Sequence, residues 1–321
     1  MIKIYIIESR NVTKKFKNGV KALNNFDLKV KEGQIFSLLG PNGAGKSTLI
    51  KILTTYYKYN SGEINIFGTD LINNSKEIRK NIACVSQNIS VDNHLSLKEN
   101  IIFQSHLYKI DRKESNRRMN DLINILKLEK YIDFPTKTYS GGIKRRLDIA
   151  INMISNPKIL FLDEPTTGMD IESRKILWDI ILKINKNYNT TIFLTTHYLE
   201  EADHLSDEIC IMKDGKNIIQ SSPDSLKYLT KKRVIKIEFT DIKNLENFED
   251  LNKILKLNLR YEKKQNILFI SIQNGKNIFK DLNNLLLKKD IDFKGISIIK
   301  PTLEEAFIDI INKDKEVNNN V

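Results

Sequence analysis

The run Gly40-Pro41-Asn42-Gly43-Ala44-Gly45-Lys46-Ser47-Thr48 constrains the fold of this chain more than any other stretch of its sequence. It follows the apolar residues 34–39 and precedes residues 46–56, where Leu49, Ile50 and Leu53 recur at helical spacing. A glycine-rich turn of the G-x-x-x-x-G-K-[ST] form between a strand and a helix is a phosphate-binding loop. Its glycines let consecutive backbone N–H groups, through Asn42, Gly43, Ala44 and Gly45, turn inward on β- and γ-phosphates. The helix that begins at Lys46 adds the positive end of its dipole. Lys46 brings a full charge to the β/γ oxygens, and Ser47, next to Thr48, offers a hydroxyl to Mg²⁺.

A second run, Ile159-Leu160-Phe161-Leu162-Asp163-Glu164-Pro165, ends a wholly apolar strand in two carboxylates. Such an ending is costly unless the carboxylates meet a cation or a reacting group. Asp163 fits a Mg²⁺-holding role, directly or through water. Glu164 fits a general base that aims a water at the γ-phosphate. The two runs together define a nucleotide-hydrolysing protein of no particular kind.

Around them the pattern alternates strand and helix. Strand-like runs at residues 26–30, 34–39, 64–67, 82–86, 158–162 and 190–195 are separated by helical patterns at 46–56 and 171–186. That order predicts an α/β fold with a parallel sheet. Residues 96–137 change character and read as helical, with Leu122, Ile125, Leu126 and Leu128 forming an apolar face. Composition shifts again at residues 224–233. Beyond it, strands are predicted at 234–240, 257–261, 267–272 and 293–299, with helices at 245–255, 277–287 and 303–311. The βαββαβ order points to a small ferredoxin-like α+β domain at 232–312, followed by a disordered Asn-rich tail at 313–321.

The segment Tyr139-Ser140-Gly141-Gly142-Ile143-Lys144-Arg145-Arg146 narrows the kind. Read locally, Ser-Gly-Gly is a helix N-cap and an anion site. Lying between the phosphate loop and the carboxylate strand, it resembles the signature motif of ABC (ATP-binding cassette) ATPases. The resemblance covers residues 2 to about 222 and implies a P-loop cassette at 1–225, with an inserted helical subdomain at about 96–140. It implies ATP and Mg²⁺ as ligands, and roles for four more residues. Gln87 matches the glutamine loop, which touches Mg²⁺ or the attacking water and senses a permease. Asp170, in Thr167-Gly168-Met169-Asp170, looks like the acidic residue of the D-loop. His197 matches the switch histidine that contacts the γ-phosphate and Glu164. Phe16 stands where an aromatic residue stacks on adenine, although a core phenylalanine is the competing reading. Ile143 replaces the usual Gln, and Tyr139 the usual Leu. Together with the two arginines that follow, the motif looks like the daunorubicin-resistance branch, and Pro301-Thr302-Leu303-Glu304-Glu305-Ala306-Phe307 is similar to that branch's terminal motif.

The resemblance further implies a nucleotide sandwich, in which the phosphate loop of one chain faces residues 140–142 of another. The partners expected are a second copy or a homologous ATPase subunit and a separate polytopic permease of the ABC-2 type. Drug, lipid or small-peptide export on the cytoplasmic face of the membrane is the implied output. A soluble ABC ATPase working on ribosomes or nucleic acid is the alternative. It is disfavoured by the single phosphate loop and by the short interval before Tyr139, which carries no sustained heptads.

Bulk properties agree. The 321 residues are 40% apolar and 29% charged, in the globular range. No stretch approaches the roughly 18 uncharged apolar residues that cross a bilayer. The opening run Ile4-Tyr5-Ile6-Ile7 is too short for a signal peptide core, so a cytoplasmic chain is expected. The net charge of +12 comes from lysines dispersed among Asn and Ile, not from a nucleic-acid stripe. Cys84 and Cys210 lie in apolar runs and read as reduced core thiols.

Overall fold

The computed structural model describes residues 5–229 and, beyond them, 232–239, 258–262, 266–273, 282–284, 286–287, 293–299 and 301–319. The chain divides into two compact units, Met1–Pro223 and Asp224–Val321.

In the first unit, Tyr5–Lys15 (β1) and Lys21–Lys31 (β2) mix buried and exposed positions, as strands with one face on a core do. They pair antiparallel with each other, and β1 pairs with Ser61–Ile66 (β4), which carries the short Thr69–Asp70 (β5). The sequence pattern predicted a parallel sheet and did not reveal this separate antiparallel one. Ile35–Leu39 (β3), Ile82–Val85 (β6), Ile159–Asp163 (β7), Thr191–Thr196 (β8) and Glu208–Lys213 (β9) have apolar residues pointing to both sides. Strands of that kind need cover on both faces, and these pair in parallel. With Lys216–Ser221 (β10) antiparallel on the edge, the sheet runs β10-β9-β3-β8-β7-β6.

The two faces follow from the alternation of side chains along each strand. Phe36, Ile159, Phe161 and Phe193 point to the core shared with the antiparallel sheet and with Lys46–Leu53 (α1). Leu160, Leu162, Ile192 and Leu194 point the other way, to a core shared with Leu97–Leu107, Arg112–Ile125, Gly141–Met153 and Ile171–Tyr188. Counting Ser75–Lys80 as α2, those four helices are α3 to α6, and Leu199–Leu205 and Pro223–Leu229 are α7 and α8. The helical layer thus runs past residue 140 into α5. Helix α1 stops at Leu53 instead of reaching residue 56, because Thr55 turns into the left-handed region at φ 65°. Helix α3 starts on a reciprocal cap: Glu99 N–H donates to Ser96 Oγ at 3.2 Å and Ser96 N–H to Glu99 Oε2 at 2.7 Å.

Across β3, β8 and β7 the register sets Phe36 beside Phe193 and Phe193 beside Phe161. Their ring centroids lie 5.2 and 5.5 Å apart. Phe193 is the middle ring of a fully buried row, so Phe193→Ala is expected to cost about 3–5 kcal/mol. Equilibrium urea unfolding followed by circular dichroism checks this. A loss below about 1 kcal/mol contradicts the packing argument.

The second unit holds Lys232–Phe239 (β11), Asn258–Glu262 (β12), Ile267–Gln273 (β13) and Phe293–Ile299 (β14), all antiparallel in the order β12-β13-β11-β14. Ile235, Ile237 and Phe239 on β11 share a core with Leu268, Ile270, Leu282 and Leu286. The predicted helix at 245–255 lies outside the described residues, as does much of the one at 277–287, of which 282–284 and 286–287 are helical. The last helix, Leu303–Asn319 (α9), begins on a second reciprocal cap between Thr302 and Glu305. It runs to Asn319, past the helix end expected at 311 and through residues 313–319, where a disordered tail is expected from the sequence. No Gly or Pro follows Ile311, and Lys and Glu sustain helix.

Candidate active site

Parallel strands in register finish on one edge of their sheet, where ligands of open α/β sheets bind. Here Leu39 pairs with Thr196, Asp163 with Thr195 and Val85 with Leu162. The phosphate loop after β3, Gln87 after β6, Glu164 after β7 and His197 after β8 are thereby gathered from distant parts of the sequence.

The loop is tightly seated. Gly45, the N-cap of α1, has φ 111°, and a Cβ there would collide with the Ala22 carbonyl oxygen. Gly215 N–H donates to the Ala44 carbonyl at 3.0 Å. Lys46 is only 6% exposed. Its Nζ curls back to donate to the carbonyls of Gly40 at 2.8 Å and Pro41 at 3.1 Å. Burial lowers its pKa, while the charges of Glu164 and Asp163 oppose that shift. A concentrated positive site between two carboxylates suits an anion that brings its own cation.

Asp163 is buried and accepts from Ser47 Oγ at 3.3 Å and from Thr195 Oγ1 at 2.5 Å. Glu164 sits at φ 48°, left-handed backbone that a non-glycine residue adopts at a cost. Its N–H donates to Thr195 Oγ1 and to the Thr195 carbonyl, both at 3.1 Å. Its Oε2 accepts from Thr167 Oγ1 at 3.2 Å and lies 3.4 Å from His197 Nδ1. Thr195 therefore holds the Asp163 carboxylate and the Glu164 backbone, a role the sequence reading did not assign. A threonine in a buried strand looks like ordinary β-branched filling until the register is known.

Residues 140–142 and Asp170 form a second group. Ser140 caps α5, accepting from Ile143 N–H at 3.4 Å, and with Gly141 it is exposed. Gly142 faces the Ser173 side chain. Asp170 caps α6, taking Ser173 N–H at 2.8 Å and Ser173 Oγ at 2.7 Å, and these bonds lower its pKa. The group presents helix ends to solvent, as a surface that meets a second molecule does. Phe16 is half-buried and lies edge-on to Tyr57 at 5.7 Å, with Lys14 Nζ 5.2 Å from its ring. It joins an aromatic and cationic cluster beside α1, not the central core. The Gln87 side chain is exposed, while its carbonyl is gripped by Arg145 Nη2 at 2.6 Å. In the sequence Arg145 stands out only as one of the two arginines that follow the signature motif.

A family model described as "ABC transporter" matches residues 23–167. The daunorubicin/doxorubicin resistance ATP-binding protein DrrA of Streptomyces peucetius is 33% identical over 303 residues, 94% of this chain and 91% of that protein. The chain belongs to the ATP-binding proteins of ABC transporters. Within that family, the cassette is also 36% identical over 230 residues to the doxorubicin resistance ATP-binding protein DrrA of Mycobacterium tuberculosis, 72% of this chain and 69% of that one. A solved ATP-binding cassette, a dimer in a post-hydrolysis state bound to ADP and Pi, superposes with a TM-score of 0.60 at 27% identity. It covers 67% of this chain and 98% of that cassette. The chain is an ABC-type ATPase with an α/β cassette fold.

Proposed function

We propose that this cassette hydrolyses ATP to drive a separate polytopic permease of the ABC-2 type, exporting a drug, lipid or small peptide from the cytoplasmic face of the cell membrane. Among the described residues no helix is long and apolar enough to cross a membrane, and in this reading the pathway belongs to a partner. The observation that carries the reading is the joining of Glu164 to His197, at 3.4 Å, on the strand edge where Ser47 meets Asp163. A phosphate cradle, a cation site and a water-activating carboxylate then stand together.

In this reading the triphosphate lies along residues 42–48, with its base on Phe16. A water attacks the γ-phosphorus and gives its proton to Glu164. The bond to the β–γ bridging oxygen breaks, releasing ADP and phosphate. His197 stands between Glu164 and the γ-phosphate oxygens and orients both. Ser47, Asp163 and Gln87 are the oxygen donors that would hold Mg²⁺, which suits hard-cation chemistry. Mg²⁺ held there would neutralise charge on the phosphates. Among the described residues no cluster of three or more His, Cys, Asp or Glu forms a closed cage. A cation at this edge would complete its shell with phosphate oxygens and water, as Mg²⁺ commonly does. Ser140, Gly141, Gly142 and Asp170 of a second copy, or of a homologous subunit, close the site over the γ-phosphate. ATP then holds two chains together until hydrolysis releases them.

Affinity purification of the tagged chain from gently solubilised membranes tests the proposal. Recovery of a polytopic membrane protein with it, and vanadate-sensitive ATPase activity in the complex, is the expected result. Recovery only with ribosomal proteins or nucleic acid would leave the ATPase standing and overturn the transport role.

A further inference from the structure

Two buried charges on α5 take no part in the mechanism above. Arg145 is 4% exposed and Asp148 1% exposed, one helical turn apart. Burial lowers the pKa of the Arg145 guanidinium and raises that of the Asp148 carboxyl, so both charges are held against their desolvation. A buried ion pair can commonly be replaced by well-packed apolar residues without loss of stability. The fold alone therefore gives no reason for this one.

Its bonds do. Arg145 Nη1 donates to the Ser86 carbonyl at 2.5 Å and Nη2 to the Gln87 carbonyl at 2.6 Å, a planar fork closed on two successive peptides. Asp148 Oδ1 accepts from Ser90 Oγ at 2.5 Å, three residues further along the same loop. Asp148 Oδ2 lies 3.6 Å from Arg145 Nη1 and has no hydrogen bond of its own. Residues 86, 87 and 90 of the Gln87 loop are thus fastened to one helical turn of α5. That helix starts at Gly141 on the Ser140 cap, a single turn before Arg145. Gly141–Met153 is one unbroken helix, so a displacement of the Gln87 loop is delivered to residues 140–142.

We propose that Arg145 and Asp148 are positioning residues that clamp the Gln87 loop of one nucleotide site to the helix end that completes the site of the other chain. The inference rests on the two-chain reading given above. Through the clamp, the state of the loop beside a chain's own nucleotide sets the angle at which its Ser140, Gly141 and Gly142 meet the neighbour's. The two sites then fire in concert, and a loop displaced by a permease misaligns the opposite site.

The test separates packing from positioning. In the double variant Arg145→Met with Asp148→Leu, the core is apolar and filled, so the melting temperature should stay near the wild-type value. ATP affinity of the monomer, read by fluorescent-nucleotide titration, should change less than about twofold, since the phosphate loop is untouched. Misalignment should lower kcat by about ten- to a hundredfold. ATP-driven dimerisation in a Glu164→Gln background, followed by analytical ultracentrifugation, should weaken by a similar factor. Ser90→Ala alters an exposed residue and cuts only the Asp148 bond, so it should lower kcat by a smaller factor at unchanged stability. Wild-type kcat and dimerisation in the double variant would overturn the clamp. So would a loss of kcat matched by equal losses of monomer affinity and melting temperature. Failure of the Glu164→Gln chain itself to dimerise with ATP would instead sink the two-chain reading on which the clamp depends.

Discussion

Substituting Glu164 with glutamine is expected to lower ATP turnover by about a hundred- to ten-thousandfold, the range of a lost general base, while leaving nucleotide binding intact. The amide fills the same volume and still accepts from Thr167 Oγ1, which now bonds Glu164 Oε2 at 3.2 Å. The backbone of residue 164 is held independently of its side chain, by Thr195 at 3.1 Å on both the hydroxyl and the carbonyl. The left-handed turn at φ 48° therefore survives the exchange. What disappears is the ability to take a proton from the attacking water. With hydrolysis blocked and ATP still bound, the closed pair of chains should persist, since nothing removes the γ-phosphate. Steady-state phosphate release and sedimentation with ATP and Mg²⁺ measure the two halves of this expectation. Full turnover in Glu164→Gln would reassign the base, and normal ATP binding with no accumulated dimer would reject the sandwich.

The contrast between Glu164 and Thr195 shows how far sequence alone reaches here. The phosphate loop and the carboxylate pair are legible because their chemistry needs contiguous residues, with a strand to rigidify one side and a helix dipole on the other. Gln87, Asp170 and His197 carry no local signature. They could be placed only through the order of motifs along the chain, and the parallel register explains why that order works. Thr195 and Arg145 were not assigned, since each acts through a partner that only tertiary pairing supplies: Asp163 across β7 and β8, and the carbonyls of residues 86 and 87 across the helical layer. The antiparallel sheet was missed for a related reason. Strands β1 and β2 are interrupted at Asn11 and Asn25, both in the left-handed region at φ 50° and 48°, and the pairing of β1 with β4 is long-range. The length of α9 is hard to read for a different reason: an Asn-rich composition favours an irregular tail, while no Gly or Pro follows Ile311 to stop a helix.

Replacing Lys46 with methionine should abolish most ATP affinity without weakening the nucleotide-free fold. The ammonium donates to the Gly40 and Pro41 carbonyls at 2.8 and 3.1 Å, and burial works against its charge. The fold gains little from holding a cation there. Methionine is unbranched and close to lysine in length, so it can fill the same buried space. A phosphate changes the balance. The buried ammonium meets a multiply charged anion in a site already short of water, and truncating one partner of such a pair costs about 2–5 kcal/mol. At a nucleotide concentration a hundredfold above Kd, the wild-type chain is stabilised by about 2.7 kcal/mol. At the same concentration, the Lys46→Met chain should retain less than about 1 kcal/mol of that gain. Thermal melting with and without ATP and Mg²⁺ reads both terms at once. A wild-type ATP-induced shift in Lys46→Met would mean that the backbone of residues 42–48 and its helix dipole bind the phosphates unaided. A lowered melting temperature without nucleotide would mean that the lysine is a structural bolt of the loop. The geometry argues against both: the charge that burial disfavours is the one that a phosphate requires.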